Sequence, residues 1–215
     1  MLKRLALLCL AYYLWYYSQI LISSNMKTNN IIIDQLHHSN IFFSINSFLA
    51  SNPEITKYNL ILTSLLIDIG MIFCAIDYLK GNDFRTMILI FVGLFLRQIC
   101  QYVNRLPIPP NMIWFDPGFP SILVTYSVEN DFFFSGHTFI AFTIGLKIIY
   151  YQNYFTKLYG LFFMMYEILF IICINGHYFM DIYGAIITYF MLNYFYDKMI
   201  NRYFTPKKYV RFALN

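Results

Sequence analysis

The stretch Leu60-Ile61-Leu62-Thr63-Ser64-Leu65-Leu66-Ile67-Asp68-Ile69-Gly70-Met71-Ile72-Phe73-Cys74-Ala75-Ile76-Asp77-Tyr78-Leu79 carries two acids and no cation. A helix needs roughly 20 mostly apolar residues to cross a hydrocarbon core of about 30 Å, and this block has that length. Working outward, one comparable block precedes it at Leu5–Ile22. Four follow, at Phe84–Val103, Phe132–Tyr151, Leu158–Ile174 and Tyr178–Ile200. A backbone in lipid must satisfy its own hydrogen bonds, so these blocks read as helices, and no apolar-polar alternation suggests barrel strands. The expectation is an all-α, polytopic membrane protein: a six-transmembrane-helix bundle forming a single membrane domain over residues 1–215.

Composition points the same way. The chain is 59% hydrophobic and 12% charged, whereas soluble domains have about a quarter of their residues charged. Tyrosine (20) and phenylalanine (23) are so abundant, in keeping with an AT-rich coding sequence, that an aromatic at any one position says little. The four cysteines, Cys9, Cys74, Cys100 and Cys173, fall within apolar blocks and read as buried free thiols. The first block opens on Lys3-Arg4, but its apolar run is long for a signal peptide and no small-residue cleavage site follows clearly; a retained anchor is expected. Ser23–Lys57 reads as a loop, with a surface-lying helix as an option within it. Asn104–Asp131, rich in proline, reads as a second loop.

Cations set the orientation. One set of ends holds Lys3, Arg4, Lys80, Arg85, Lys157, Lys198, Arg202, Lys207, Lys208 and Arg211, and the other only Lys27, Lys57 and Arg105. Both termini are therefore expected to be cytosolic. The loops after the first, third and fifth blocks then face the lumenal or extracellular side, and no nucleic-acid partner is expected.

Two histidines stand out on that side. His137 opens the fourth block in Ser135-Gly136-His137-Thr138, and His177 opens the sixth in Asn175-Gly176-His177-Tyr178-Phe179-Met180-Asp181. Asp181 follows His177 at helical spacing, so the two share a face. A carboxylate on one ring nitrogen fixes the tautomer and leaves the other nitrogen to attack. A carboxylate just inside a span tends to be functional or paired. Ser135 is placed to cap the fourth helix, whose free N–H groups and positive dipole end suit a phosphate. The set describes phosphoryl transfer: His177 as nucleophile, Asp181 as its orienter, His137 as acid and base, through a covalent phosphohistidine. Metal binding is disfavoured because no third nitrogen or sulfur ligand is close, and no cofactor is expected. His37 and His38 read as solvated loop residues. Asp68 and Glu167, mid-block, read as partners paired between helices.

These residues also sit in recognisable motifs. Asp131-Phe132-Phe133-Phe134-Ser135-Gly136-His137-Thr138 resembles the third signature of the sphingomyelin synthase family, and His177-Tyr178-Phe179-Met180-Asp181-Ile182 resembles the fourth. Arg97-Gln98-Ile99-Cys100-Gln101-Tyr102-Val103-Asn104-Arg105-Leu106-Pro107-Ile108-Pro109 resembles the second, with its arginine and Leu-Pro-x-Pro ending. Plant phosphatidylcholine:diacylglycerol cholinephosphotransferases share the pattern, which here spans residues 97–189. The resemblance implies a metal-free triad of His137, His177 and Asp181. It implies substrate-binding roles for Arg97, Arg105, Asp131, Ser135 and Tyr178. It also implies transfer of a phospho-head group, such as phosphocholine, from a membrane phospholipid to a ceramide or diacylglycerol. The chain departs from the family at Glu129-Asn130, where Cys-Gly is usual, and in having no clear first signature; Pro53-Glu54 is a poor match.

The same superfamily contains lipid phosphate phosphatases, which are the alternative reading. Those carry Ser-Arg upstream of the second histidine, where this chain has Phe170-Ile171. A phosphomonoester carries up to two charges and calls for several cations; Arg97 and Arg105 alone suit a singly charged diester. A quaternary or primary ammonium head would be held by acids and aromatic faces, for which Trp114, Asp116, Tyr126, Glu129 and Asp131 lie in the appropriate loop. The Asn104–Asp131 loop is placed to cover the site and keep water from the intermediate. A third reading, a non-catalytic lipid carrier or small transporter, predicts that substitutions in the triad leave activity intact.

Overall fold

The computed structural model describes residues 1–23, 32–104, 106–126, 132–150 and 153–203. Among these there is no strand. Seven helices follow in order: α1 (Leu2–Ser23), α2 (Asn40–Ser51), α3 (Pro53–Lys80), α4 (Arg85–Val103), α5 (Gly136–Ile149), α6 (Tyr154–Cys173) and α7 (Phe179–Tyr203). Among the described residues, three helices, α3, α4 and α6, are long and apolar enough to cross a membrane. Helix α5 is apolar but has 14 residues. Helix α7 has the length, but tyrosines with Asp181, Asn193, Asp197 and Lys198 dilute it.

The element boundaries differ from the hydropathy blocks for local reasons. Helix α3 begins at Pro53, well before Leu60, because proline at the first helical position loses no hydrogen bond. It ends at Gly81, whose φ of 84° is left-handed and suits glycine. The surface-lying helix allowed for within Ser23–Lys57 is α2. It is no mere skin: Asn46 donates to the carbonyls of Asn111 (3.3 Å) and Cys173 (3.0 Å). Helix α5 starts at Gly136 because Ser135 caps it, accepting from the Thr138 N–H at 3.2 Å. Phe132 and Phe134 therefore lie outside the helix yet are buried at 2% and 3% exposure, which hydropathy alone cannot distinguish from a span.

Charged side chains gather at one end of the bundle. Arg4 donates to the Leu79 carbonyl at 3.2 Å and lies 4.7 Å over the Phe84 ring. Arg85 reaches Asn193 at 2.6 Å and Asp197 at 2.7 Å. Lys147, near the C-terminus of α5, pairs with Asp77 at 2.7 Å and Asp83 at 3.1 Å. These contacts bring the start of α1, the end of α3, the start of α4, and the ends of α5 and α7 to the same place. The opposite end holds the end of α4, the starts of α5 and α7, and the loop 106–126.

The core is apolar side chains from all but the peripheral faces. Ile67, Cys74, Ile90, Ile144 and Phe163 are essentially inaccessible. Helices α5 and α6 make the most extensive contact in the bundle, and glycine permits it. A Cβ on Gly160 would stand 2.7 Å from the Gly145 carbonyl oxygen, and one on Gly145 would stand 2.1 Å from Met164 Cγ. Close approach through small residues is how apolar helices pack where no water drives them together. Gly160→Ala is therefore expected to lower stability by about 1–3 kcal/mol through overpacking, read as a fall in the thermal unfolding midpoint of the detergent-solubilised chain. An unchanged midpoint would mean that α5 and α6 can slide apart freely.

Two expectations about buried groups need correction. Among the described residues Asp68 pairs with a loop and not with another helix: its carboxylate accepts the backbone N–H groups of Ile122 (2.9 Å) and Leu123 (3.2 Å), so it ties the loop to α3. Glu167 is 1% exposed, and its Oε1 has no hydrogen-bond partner among the described residues. The cysteines are free, but Cys9 is exposed on α1, Cys100 and Cys173 are half-buried, and only Cys74 is buried.

Candidate functional site

Helix α7 begins one residue after Tyr178, so His177 stands in the turn before the helix and not on its face. Asp181 nevertheless reaches it. From the third helical position the carboxylate turns back, and Oδ2 accepts both the Tyr178 N–H (3.2 Å) and the His177 Nδ1–H (3.0 Å). This is the reciprocal arm of a capping box, with the imidazole recruited as a second donor. The pair is deeply buried: His177 is 4% exposed and Asp181 0%. Phe132 stands edge-on to the imidazole at 5.8 Å.

The second histidine comes from α5. A single backbone bond fixes the two helix starts relative to one another: Ser135 N–H donates to the Asp181 carbonyl at 3.2 Å. His137 follows two positions later, on the first turn of α5. Trp114, from the loop, meets its ring edge-on at 5.4 Å. His137 Nε2 is shielded from solvent and has no hydrogen-bond partner among the described residues. It lines a small pocket with Arg97, Gly136 and Thr125.

Arg97 is 4% exposed. Its Nε donates to the Phe134 carbonyl at 3.2 Å. Gly136 allows the approach, since a Cβ there would lie 3.0 Å from Nε. The backbone of Phe133 takes a φ of 93°, an unusual conformation for a bulky residue. With it, the Phe134 carbonyl faces Arg97 while the Ser135 N–H faces Asp181. Strain of this kind persists only where surrounding contacts hold it.

The remaining expected site residues are distributed as follows. Ser135 is fully buried and its hydroxyl serves as the cap of α5. Tyr178 is buried with its hydroxyl donating to the Pro107 carbonyl at 3.0 Å, so it anchors the loop. Trp114 and Tyr126 pack ring to ring at 5.0 Å beside His137. Tyr126 also hydrogen-bonds the Leu60 carbonyl (3.0 Å) and the Ser64 hydroxyl. Asp116 is exposed and accepts the Gly118 N–H at 2.8 Å, an ordinary turn contact. Arg105, Glu129 and Asp131 lie outside the described residues. The loop is fastened down over the site by Ile113 N–H to the Ile174 carbonyl (2.8 Å) and by Asn175 to the Pro110 carbonyl (2.9 Å). Among the described residues, no group of three or more His, Cys, Asp or Glu is arranged to hold a metal ion.

His37 corrects the expectation of a solvated loop residue. It is 5% exposed and its Nε2–H donates to the His177 carbonyl at 3.0 Å. Asp34, just before it, accepts the Phe179 N–H at 2.5 Å and so caps α7 from a remote segment. Neither role has a sequence signal beyond a polar residue in a loop. Burial pushes the His37 pKa below the ordinary 6.5, against the pull of the Asp34 carboxylate. The His37 Nδ1 lacks a hydrogen-bond partner among the described residues, so a proton added there would be buried without an acceptor.

The sign of the linkage follows. A group whose folded pKa is depressed binds its proton more readily when unfolded, so its contribution is intact above 6.5 and is lost as pH falls from there toward the folded value. The thermal midpoint is expected to fall between about pH 7 and pH 5, and the fall to be shallower in His37→Gln, whose amide can still donate. Identical slopes in the two proteins would remove His37 from the account.

Compared with known proteins, the chain matches no family model, no curated protein and no solved structure at a significant level.

Proposed function

We propose that this chain is an integral membrane lipid phosphotransferase of the sphingomyelin synthase type. It moves a phospho-head group from a glycerophospholipid to a ceramide or diacylglycerol. In this reading α1, α3, α4, α5, α6 and α7 are the six spans. The end rich in Arg4, Arg85, Lys147 and Lys198 is cytosolic, and the histidines face the lumenal or extracellular side. Helix α5, at about 21 Å by helical rise, is shorter than the hydrocarbon core. Its capped start is thus recessed from the surface, and Phe132, Phe134 and Ser135 just before it are buried in protein, where irregular backbone at membrane depth is tolerated.

The observation that supports the proposal is the Ser135–Asp181 backbone bond, which ties the start of α5, two residues before His137, to the helix start that carries the buried His177–Asp181 pair. With its proton on Nδ1, held by Asp181, His177 keeps Nε2 as a lone-pair nitrogen. That nitrogen attacks the donor phosphorus, an N–P bond forms, and the P–O bond to the diacylglycerol oxygen breaks as His137 delivers a proton to it. In the second half the acceptor hydroxyl gives its proton to His137 and attacks phosphorus, and the N–P bond breaks. Asp181 balances the positive charge on the phosphorylated imidazole. The first-turn N–H groups of α5 and the Arg97 guanidinium are donors suited to the phosphate oxygens.

The test is head-group transfer by the purified chain in vesicles, using a phospholipid labelled in its head group with ceramide or diacylglycerol as acceptor. Labelled product is the expected result. Free phosphate released from phosphatidic acid, with no transfer, would move the chain to the phosphatase reading.

A further inference from the structure

The turn that carries His177 joins the end of α6 at Cys173 to the start of α7 at Phe179. Tyr178 stands at the cap position of α7, where Ser, Thr, Asp or Asn would ordinarily accept a first-turn N–H. A tyrosine side chain does not fold back in this way, and its hydroxyl is committed to the Pro107 carbonyl at 3.0 Å. Asp181 supplies only the reciprocal arm of the cap, to the Tyr178 N–H. Two backbone groups at this helix start are therefore left for other partners: the Phe179 N–H, and the His177 carbonyl just ahead of the helix.

One remote segment supplies both. Asp34 Oδ2 accepts the Phe179 N–H at 2.5 Å, and the His37 Nε2–H donates to the His177 carbonyl at 3.0 Å. The His37 ring also stacks on that of Tyr178, with centroids 6.3 Å apart. The segment is itself braced. Asp34 Oδ1 accepts the Leu36 N–H at 2.9 Å, and the Ser39 hydroxyl donates to the Leu36 carbonyl at 2.8 Å. Leu36 packs on the apolar cluster that contains Ile171, Ile172 and Ile182. Helix α2, which follows at once, is anchored through Asn46 to the Cys173 carbonyl, just before the turn. Capping α7 needs only Asp34. His37 acts outside the helix, on the backbone of the one residue whose imidazole is buried against Asp181.

We infer that Asp34 and His37 are positioning residues: gripping the backbone on either side of Tyr178, they fix the place from which the His177 imidazole attacks phosphorus. Asp181 sets the tautomer and tilt of the ring, but it cannot fix the Cα from which the ring hangs. A shift of the turn carries the attacking Nε2 with it. Attack needs the reacting atoms about 3–3.5 Å apart and aligned, and a misplacement of about 1 Å can cost about 100-fold in rate. Residues that support a functional side chain from behind matter for this reason. The positioning role rests on the phosphotransferase reading, whereas the clamp on the turn does not.

The test has two arms. In the first, head-group transfer by the full chain in vesicles is measured for His37→Ala, Asp34→Ala and His37→Gln, with rates taken per folded protein. Both alanine variants are expected to lower kcat about 10–100-fold, with KM for the phospholipid donor little changed. His37→Gln, whose amide can donate to the same carbonyl, is expected to recover most of the loss. A wild-type kcat in His37→Ala, a loss confined to KM, or no recovery in His37→Gln would overturn the proposal. The second arm needs no turnover: amide hydrogen exchange of the detergent-solubilised chain, read by mass spectrometry. Faster exchange confined to peptides covering residues 177–182 in the two alanine variants supports the clamp. Unchanged exchange there, or an equal rise in α3 and α4, overturns it. If no protein transfers a head group while the local rise is seen, the phosphotransferase reading falls, the positioning role falls with it, and the clamp stands.

Discussion

Replacing His177 with Gln is expected to abolish head-group transfer, with kcat falling at least about 10⁴-fold, while the chain still folds and inserts. The size follows from the proposed role: without the nucleophile there would be no covalent intermediate, and in hydrolases that depend on one the loss is of this order or greater. The environment makes the change tolerable. Glutamine keeps a donor for the Asp181 carboxylate, which otherwise would be buried without its partner at 3.0 Å. The His177 carbonyl, which receives the His37 N–H, belongs to the backbone and is unaffected. Head-group transfer measured beside the thermal midpoint separates the two effects. Substantial transfer by a stable His177→Gln protein would refute the assignment.

Asp181→Asn is expected to be nearly as severe, roughly 10³–10⁴-fold in kcat. Asparagine can place its oxygen where Oδ2 sits and keep both the His177 and Tyr178 hydrogen bonds. The amide group then takes the position of Oδ1, which has no partner among the described residues. What is lost is the negative charge. In a buried site, charge that stabilises a cationic phosphoimidazole is worth far more than it would be in water. The loss should fall on kcat with KM little changed, because lipid binding involves neither oxygen. A drop in KM-dependent binding alone would instead mean that Asp181 merely shapes the pocket.

Much of this site could be read in the sequence because its members sit at the starts of apolar blocks. Hydropathy located the blocks, and the cation bias of Lys3, Arg4, Lys80 and Arg85 against the opposite ends grouped His137 with His177. The His177–Asp181 contact was also legible from spacing, although its cause is a helix cap and not a shared helical face. Other parts were not legible, for physical reasons. His37 and Asp34 act through the backbone of residues 177 and 179, far along the chain, and nothing local marks such a contact. Phe132 and Phe134 look like span residues because burial in protein and burial in lipid select the same side chains. Asp68 looks like an interhelical partner because a sequence does not show that the backbone N–H groups at 122 and 123 will arrive beside it.

The central claim is that a phospho-head group passes through His177. Purified chain in vesicles is given a phospholipid labelled in its head group, with no acceptor, and quenched in alkali; its peptides are then mapped by mass spectrometry. The expected result is an acid-labile head-group phosphoryl adduct on His177, missing from His177→Gln and discharged when acceptor lipid is added. Steady head-group transfer with no adduct at any time, or with the adduct on another residue, would contradict it.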